Sequence, residues 1–162
     1  MLEGRNGLIW LVLSGLLLVL DQVTKLYVST TMKLYQSIDV LPVFNFTYVH
    51  NYGAAFSFLS NAGGWQSYFF STIAVVISAL LIYWLKNLPA SNKLLCGAYS
   101  LVLAGAIGNL IDRLNHGYVI DFLHVYYQQW DFPVFNIADV AISIGAAMLL
   151  LDAFREQKEA KK

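Results

Sequence analysis

Two aspartates stand where acids are costly. Asp121 sits in Val119-Ile120-Asp121-Phe122 and Asp139 in Asn136-Ile137-Ala138-Asp139, each in apolar sequence with no basic residue adjacent. Two such carboxylates brought together near a low-dielectric boundary repel, so one keeps a proton near neutral pH while the other is ionised. That pair can do general acid–base work on a peptide bond: the ionised member takes a proton from water and the protonated one polarises the carbonyl. Spacing alone leaves other uses open. A carboxylate at a helix start, as Asp139 would be, is favoured by the helix dipole, and capping, a solvated loop charge or a cation site would each account for either residue.

Other polar residues recur at helical spacing. Asp21 and Lys25 are four apart and share a helix face, where they can pair, either to anchor a helix end or to serve a site. Asn109, Asp112 and Arg113 follow at i, i+3 and i+4, and Asn136 precedes Asp139 by three. Asn51-Tyr52-Gly53 reads as a turn. His50, His116 and His124 are scattered. Asp112 and His116 are four apart, but a third ligand at helical spacing is missing, so no metal site is expected. A Ser-Lys peptidase would need a serine beside Lys25, for which only Ser29 offers itself, and neither a G-x-S-x-G nor a G-x-G-D sequence is present. The single cysteine, Cys96, allows no internal disulfide.

These residues must be carried by elements suited to lipid. Of 162 residues 58% are hydrophobic and 12% charged, about half the charge of an ordinary soluble domain. Lys+Arg and Asp+Glu balance at 10 each, so no basic field exists to attract nucleic acid. The apolar residues fall in four blocks, about 8–28, 66–85, 94–110 and 137–154, each the length that crosses a bilayer core of roughly 30 Å. The reading is a single integral membrane domain over 1–162, mainly α, with four transmembrane helices and long connections at 29–65 and 111–136. The first block holds Asp21 and Lys25 and has no A-x-A site after it, so it reads as a retained span rather than a cleaved signal peptide. Arg5, Lys86, Lys93, Arg155, Lys158, Lys161 and Lys162 lie at the ends and in the short middle loop, which puts both termini in the cytoplasm and the long connections outside. Phe44, Phe46 and Tyr48 alternate with Asn45 and Thr47, a strand pattern. With a return strand at 54–59 they predict a small sheet on the outer membrane face. Trp65, Tyr126, Tyr127 and Trp130 suit an interfacial belt. Ala104 with Gly108, and Ala141 with Gly145, make small-xxx-small faces that would let the third and fourth spans approach closely.

Taken together, Asp21-Gln22-Val23-Thr24-Lys25, Asn51-Tyr52-Gly53-Ala54-Ala55-Phe56-Ser57, the run from Gly105 to Arg113, Val119-Ile120-Asp121-Phe122 and Phe135-Asn136-Ile137-Ala138-Asp139 resemble the lipoprotein signal peptidase family, signal peptidase II, in five motifs spread over nearly the whole chain. The resemblance implies a bacterial inner-membrane aspartyl endopeptidase without a cofactor. Its partners would be membrane lipid and diacylglyceryl-modified prolipoproteins, cut just before the lipidated cysteine. It implies Asp121 and Asp139 as the catalytic pair, with Asp21, Lys25, Asn51, Gly53, Asn109, Asp112, Arg113 and Asn136 in support, and an outward loop like the family's β-cradle. A monomer is expected. Two readings from other classes stand beside it. A small ion-coupled transporter should carry its acids near mid-span, and a membrane scaffold would tolerate loss of both aspartates.

Overall fold

The computed structural model describes residues 5–53 and 65–160. Its helices are α1 (Leu11–Thr31), α2 (Trp65–Asn87), α3 (Lys93–His116) and α4 (Ile137–Ala160), and its strands are β1 (Ser37–Leu41), β2 (Phe44–Asn51), β3 (Val119–Tyr127) and β4 (Trp130–Asp131). All four helices are long and apolar enough to cross a membrane. Their outward faces are apolar too: Val12, Leu16, Val19, Val23 and Leu26 of α1 are largely exposed, an arrangement suited to lipid rather than water.

The centre of the bundle is α3. In its most apolar stretch 56% of residues are buried, against 17% in each of the other three. Small residues make this possible, because Gly97, Ala98, Ala104, Gly105, Ala106 and Gly108 are all buried along α3 and bring neighbouring backbones close. A Cβ at Gly105 would collide with the backbone of Ala138, and one at Gly145 would lie 2.8 Å from the Ala98 carbonyl, so α3 and α4 touch through both. Gly108 turns instead mainly toward α1, where a Cβ would sit 2.6 Å from Asp21 Oδ2.

Helix α3 runs beyond the end expected from hydropathy at residue 110, which moves Asp112 and Arg113 from a loop into the last helical turn. Its stop is Gly117, whose φ of +80° closes the helix with an N–H bond to the Arg113 carbonyl. Only a residue free of a Cβ takes this conformation readily. At its start, the Asn92 side chain accepts from the Leu95 N–H.

The sheet is antiparallel throughout, in the order β1-β2-β3-β4. The strand expected around Phe44 to Tyr48 is β2. The expected return strand at 54–59 lies outside the described residues, and the partners seen are β1 and β3, the latter supplied by the second long connection. Between β2 and β3 the pairing passes from Phe46↔Leu123 to Val49↔Asp121, so β2 spends three residues where β3 spends two. Such a bulge reverses which face the later residues of the strand occupy. Without it Asn51 would face away from Asp121.

Candidate active site

The polar side chains gather where α1, α3 and the start of α4 meet β2 and β3. At their centre is Lys25, whose Nζ donates to Asp21 Oδ2, Asp112 Oδ2 and Asn109 Oδ1, each at 2.9 Å. An ammonium has three hydrogens, so these three partners satisfy a lysine that is 1% exposed. The two acids are filled in turn. Asp21 Oδ1 accepts from the Ala138 N–H at 2.9 Å and Asp112 Oδ2 from the Ile120 N–H at 3.1 Å. Gln22 Nε2 reaches Asp21 Oδ2, Asp112 Oδ1 and the Gly108 carbonyl. One buried cation thereby ties α1 to α3, to the start of β3 and to the first turn of α4.

Asp121 and Asp139 form a different set, since among the described residues neither is in a salt bridge. Neutral amides hold them. Asn51 Nδ2 donates to Asp121 Oδ2 at 2.9 Å, and Asn136 Nδ2 donates both to Asp121 Oδ1 at 2.6 Å and to Asn109 Oδ1 at 3.2 Å. Asn109 Nδ2 donates to Asp139 Oδ1 at 2.8 Å. Asn136 and Asp139 also bond reciprocally, the Asp139 N–H to Asn136 Oδ1 at 2.9 Å and the Asn136 N–H to Asp139 Oδ2 at 3.3 Å. This is a capping box, and together with Asp21 on the Ala138 N–H it satisfies the Ala138 and Asp139 donors in the first turn of α4. The helix start therefore fixes the carboxylate of Asp139, and one residue, Asn136, meets both acids, the Asp121 carboxylate through its side chain and the Asp139 carboxylate through its backbone N–H.

Burial, and next to it the charge of Asp139, pushes the Asp121 carboxyl up to about 7, against the amide hydrogen bonds and the Lys25 charge that pull it down. An acid ionising there can hold or release a proton near neutrality. Asn51 is steadied by its own turn, in which Oδ1 accepts from the Gly53 N–H at 2.9 Å. Arg113 closes the arrangement, with Nη2 on the Gly53 carbonyl at 2.9 Å, Nη1 on the Asn109 carbonyl and its guanidinium 5.5 Å from the centre of the Phe70 ring.

Asp139 lines a cavity of about 510 Å³. Phe70, Ile73 and Ile77 of α2, Ala106 of α3, Phe132 and Phe135 before α4, and Ile142 of α4 give it apolar walls, and Asn109 and Arg113 join Asp139 as its polar groups. An apolar groove with a few convergent polar groups suits an apolar chain presented to a reactive end.

All ten residues singled out in the sequence thus fall in one hydrogen-bonded network. Two contributors escaped that reading: Gln22 and the aromatic wall of Phe70, Phe132 and Phe135. An amide inside an apolar span is itself a cost that calls for a partner, so Gln22 carried a usable signal, whereas the wall looked like any membrane-facing aromatic. The histidines belong to other clusters, His50 and His116 stacked on Tyr118 and His124 bonded to Asp131. Among the described residues no three His, Cys, Asp or Glu side chains converge to hold a metal ion.

Four membrane-length helices around a buried carboxylate network, capped by a small sheet, define a multi-pass membrane protein with a polar site at one end. A family model described as signal peptidase (SPase) II matches residues 13–155, and the chain belongs to that family. It is similar to the lipoprotein signal peptidase of Pseudoalteromonas translucida, 65% identical over 94% of this chain and 92% of that one. That of Pasteurella multocida is 50% identical over 98% and 96%. A solved structure of a bacterial membrane enzyme superposes with a TM-score of 0.84 at 34% identity, covering 93% of this chain and 90% of the other.

Proposed function

We propose that this protein is an aspartyl endopeptidase that removes signal peptides from diacylglyceryl-modified prolipoproteins, cutting immediately before the lipidated cysteine, with Asp121 and Asp139 as its catalytic pair. The observation that carries the reading is the contrast between two sets of acids. Asp21 and Asp112 are both ion-paired with Lys25, whereas Asp121 and Asp139 are held by amides alone and share Asn136.

In this mechanism the two carboxylates share a proton and titrate as a coupled unit. The ionised one takes a proton from a water that attacks the scissile carbonyl, while the protonated one polarises that carbonyl. The resulting tetrahedral diol collapses as a proton passes to the leaving amine. The apolar groove receives the signal segment, and the substrate's own acyl chains hold it at the membrane surface, which reduces the search to two dimensions. Acid–base help accounts for roughly 10²- to 10⁴-fold. The remainder falls to positioning by the Lys25 and Asn136 network and to charge stabilisation beside Arg113. The site lies on the periplasmic side of the inner membrane, both termini are cytoplasmic, and the enzyme works as a monomer without cofactor.

Purified Asp121→Asn and Asp139→Asn variants, assayed by gel shift with a diacylglyceryl-modified prolipoprotein, are expected to lose cleavage while remaining folded and membrane-inserted. Near-wild-type turnover by either variant overturns the pair.

A further inference from the structure

A line of polar side chains crosses the sheet away from the carboxylate network, one from each strand. Ser37 Oγ of β1 lies 2.8 Å from Thr47 Oγ1 of β2, which lies 3.3 Å from His124 Nδ1 of β3, whose Nε2 lies 2.6 Å from Asp131 Oδ1 of β4. With the proton on Nε2 every link has a donor and an acceptor. The Ser37 hydroxyl donates to Thr47, Thr47 donates to Nδ1, and Nε2–H donates to the carboxylate. Protonated histidine is also satisfied, because the two hydroxyls then reverse direction.

The far end of this relay needs such support. Strand β4 has two residues, paired as Tyr126↔Asp131 and Tyr127↔Trp130, far too few for a stable ribbon. The tight turn before it puts Gln128 at a φ of +54°, a conformation that hairpin turns normally assign to Asn or Gly. The chain then runs directly into the groove wall. Phe132 donates its N–H to the Val125 carbonyl at 3.0 Å, its ring meets those of Trp130 at 5.6 Å and Phe135 at 5.7 Å, and Phe132 and Phe135 line the cavity that Asp139 also lines.

We propose that Ser37, Thr47, His124 and Asp131 are positioning residues: as a relay they fix the β3–β4 hairpin, and through it the aromatic wall against which the apolar part of the peptide substrate lies. This rests on the peptidase reading above. The relay touches neither Asp121 nor Asp139, so its loss loosens substrate binding and spares the chemical step. A His–Asp pair whose carboxylate is open to solvent adds little to global stability, so the effect is confined to the hairpin, a local opening rather than unfolding.

The test combines hydrogen exchange with steady-state kinetics on purified full-length wild-type, Thr47→Val, His124→Ala and Asp131→Asn proteins. Peptides covering 126–135 are expected to exchange at least about tenfold faster in the variants, with α1 and α3 unchanged. KM for a diacylglyceryl-modified prolipoprotein should rise about three- to tenfold with kcat within about twofold, and a Thr47→Val/His124→Ala double variant should be no worse than His124→Ala. Unchanged exchange in all three variants overturns the relay. Faster exchange with unchanged KM, or a fall in kcat alone, overturns its role in holding substrate. Failure of the wild-type protein to cleave at all removes the peptidase reading, while the exchange comparison still decides whether the relay holds the hairpin.

Discussion

Folding raises the proton affinity of Asp121. In an unfolded chain an aspartate ionises near its ordinary value of 3.8, whereas burial and the charge of Asp139 keep Asp121 protonated to about 7. Between those values the folded protein binds more protons than the unfolded one. The contribution of this group to stability is therefore largest below the lower value, declines as pH rises and levels off above about 7. The slope can reach about 1.4 kcal/mol per pH unit. Thermal unfolding of wild type and Asp121→Asn from pH 4 to 8 should show the decline flattened in the variant, and an equal slope in both would mean that the carboxyl is already ionised over that range. Cleavage by the wild type should likewise fall on the alkaline side of about pH 7, as the shared proton is lost. The residues of this pair were legible in the sequence because each acid stands alone in apolar surroundings. Their amide partners were legible only as neighbours in motifs, since nothing in spacing says that one Asn136 side chain reaches Asp121, Asn109 and the Asp139 N–H together.

What elements contribute is close approach and facing. The alternation of Phe44, Phe46 and Tyr48 with Asn45 and Thr47 marks β2 as a strand, but continued without interruption it would place Asn51 on the face away from Asp121. The bulge that corrects this leaves no mark in the sequence, because it is set by pairing with a strand some seventy residues away. Strand β3 was hidden for a related reason, its apolar run being indistinguishable from a membrane-surface loop until β2 pairs with it. Helix contacts were more readable, because small residues at helical spacing have few other uses in lipid. Two glycines give opposite expectations. At Gly108 an added methyl would lie 2.6 Å from Asp21 Oδ2 and displace the carboxylate that serves Lys25 and the Ala138 N–H. Gly108→Ala is expected to destabilise by about 1–3 kcal/mol, the usual range for overpacking. At Gly15 of α1 nothing lies within 4 Å of that methyl, and Gly15→Ala should stabilise by about 0.5–1 kcal/mol through helix propensity. Unfolding in mixed micelles at graded SDS fraction separates the two, and a Gly108→Ala protein as stable as wild type would show that α1 and α3 can part without cost.

For the whole molecule the four spans follow from hydropathy and length, yet hydropathy could not say which helix is central, since all four are similarly apolar. The answer lies in composition, with α3 carrying the buried glycines and alanines. Direction across the membrane is a separate question, and the positive-inside bias of Arg5, Lys86, Lys93, Arg155 and Lys158 underlies the proposal that these residues lie in the cytoplasm and the sheet outside. An even number of spans then requires both termini on one side. The single cysteine, Cys96, is buried, so a Cys96→Ser protein offers a clean background for labelling. Tyr35, 75% exposed beside β1, and Arg155, exposed near the end of α4, mark opposite ends of the bundle. In intact spheroplasts a membrane-impermeant maleimide should label the Tyr35→Cys variant and leave Arg155→Cys untouched until the membrane is opened. The reverse pattern would put Asp121 and Asp139 in the cytoplasm. A secreted lipoprotein reaches the outer leaflet with its mature part already across the membrane, so the peptidase reading stands only if the sheet and the carboxylate pair face the same way.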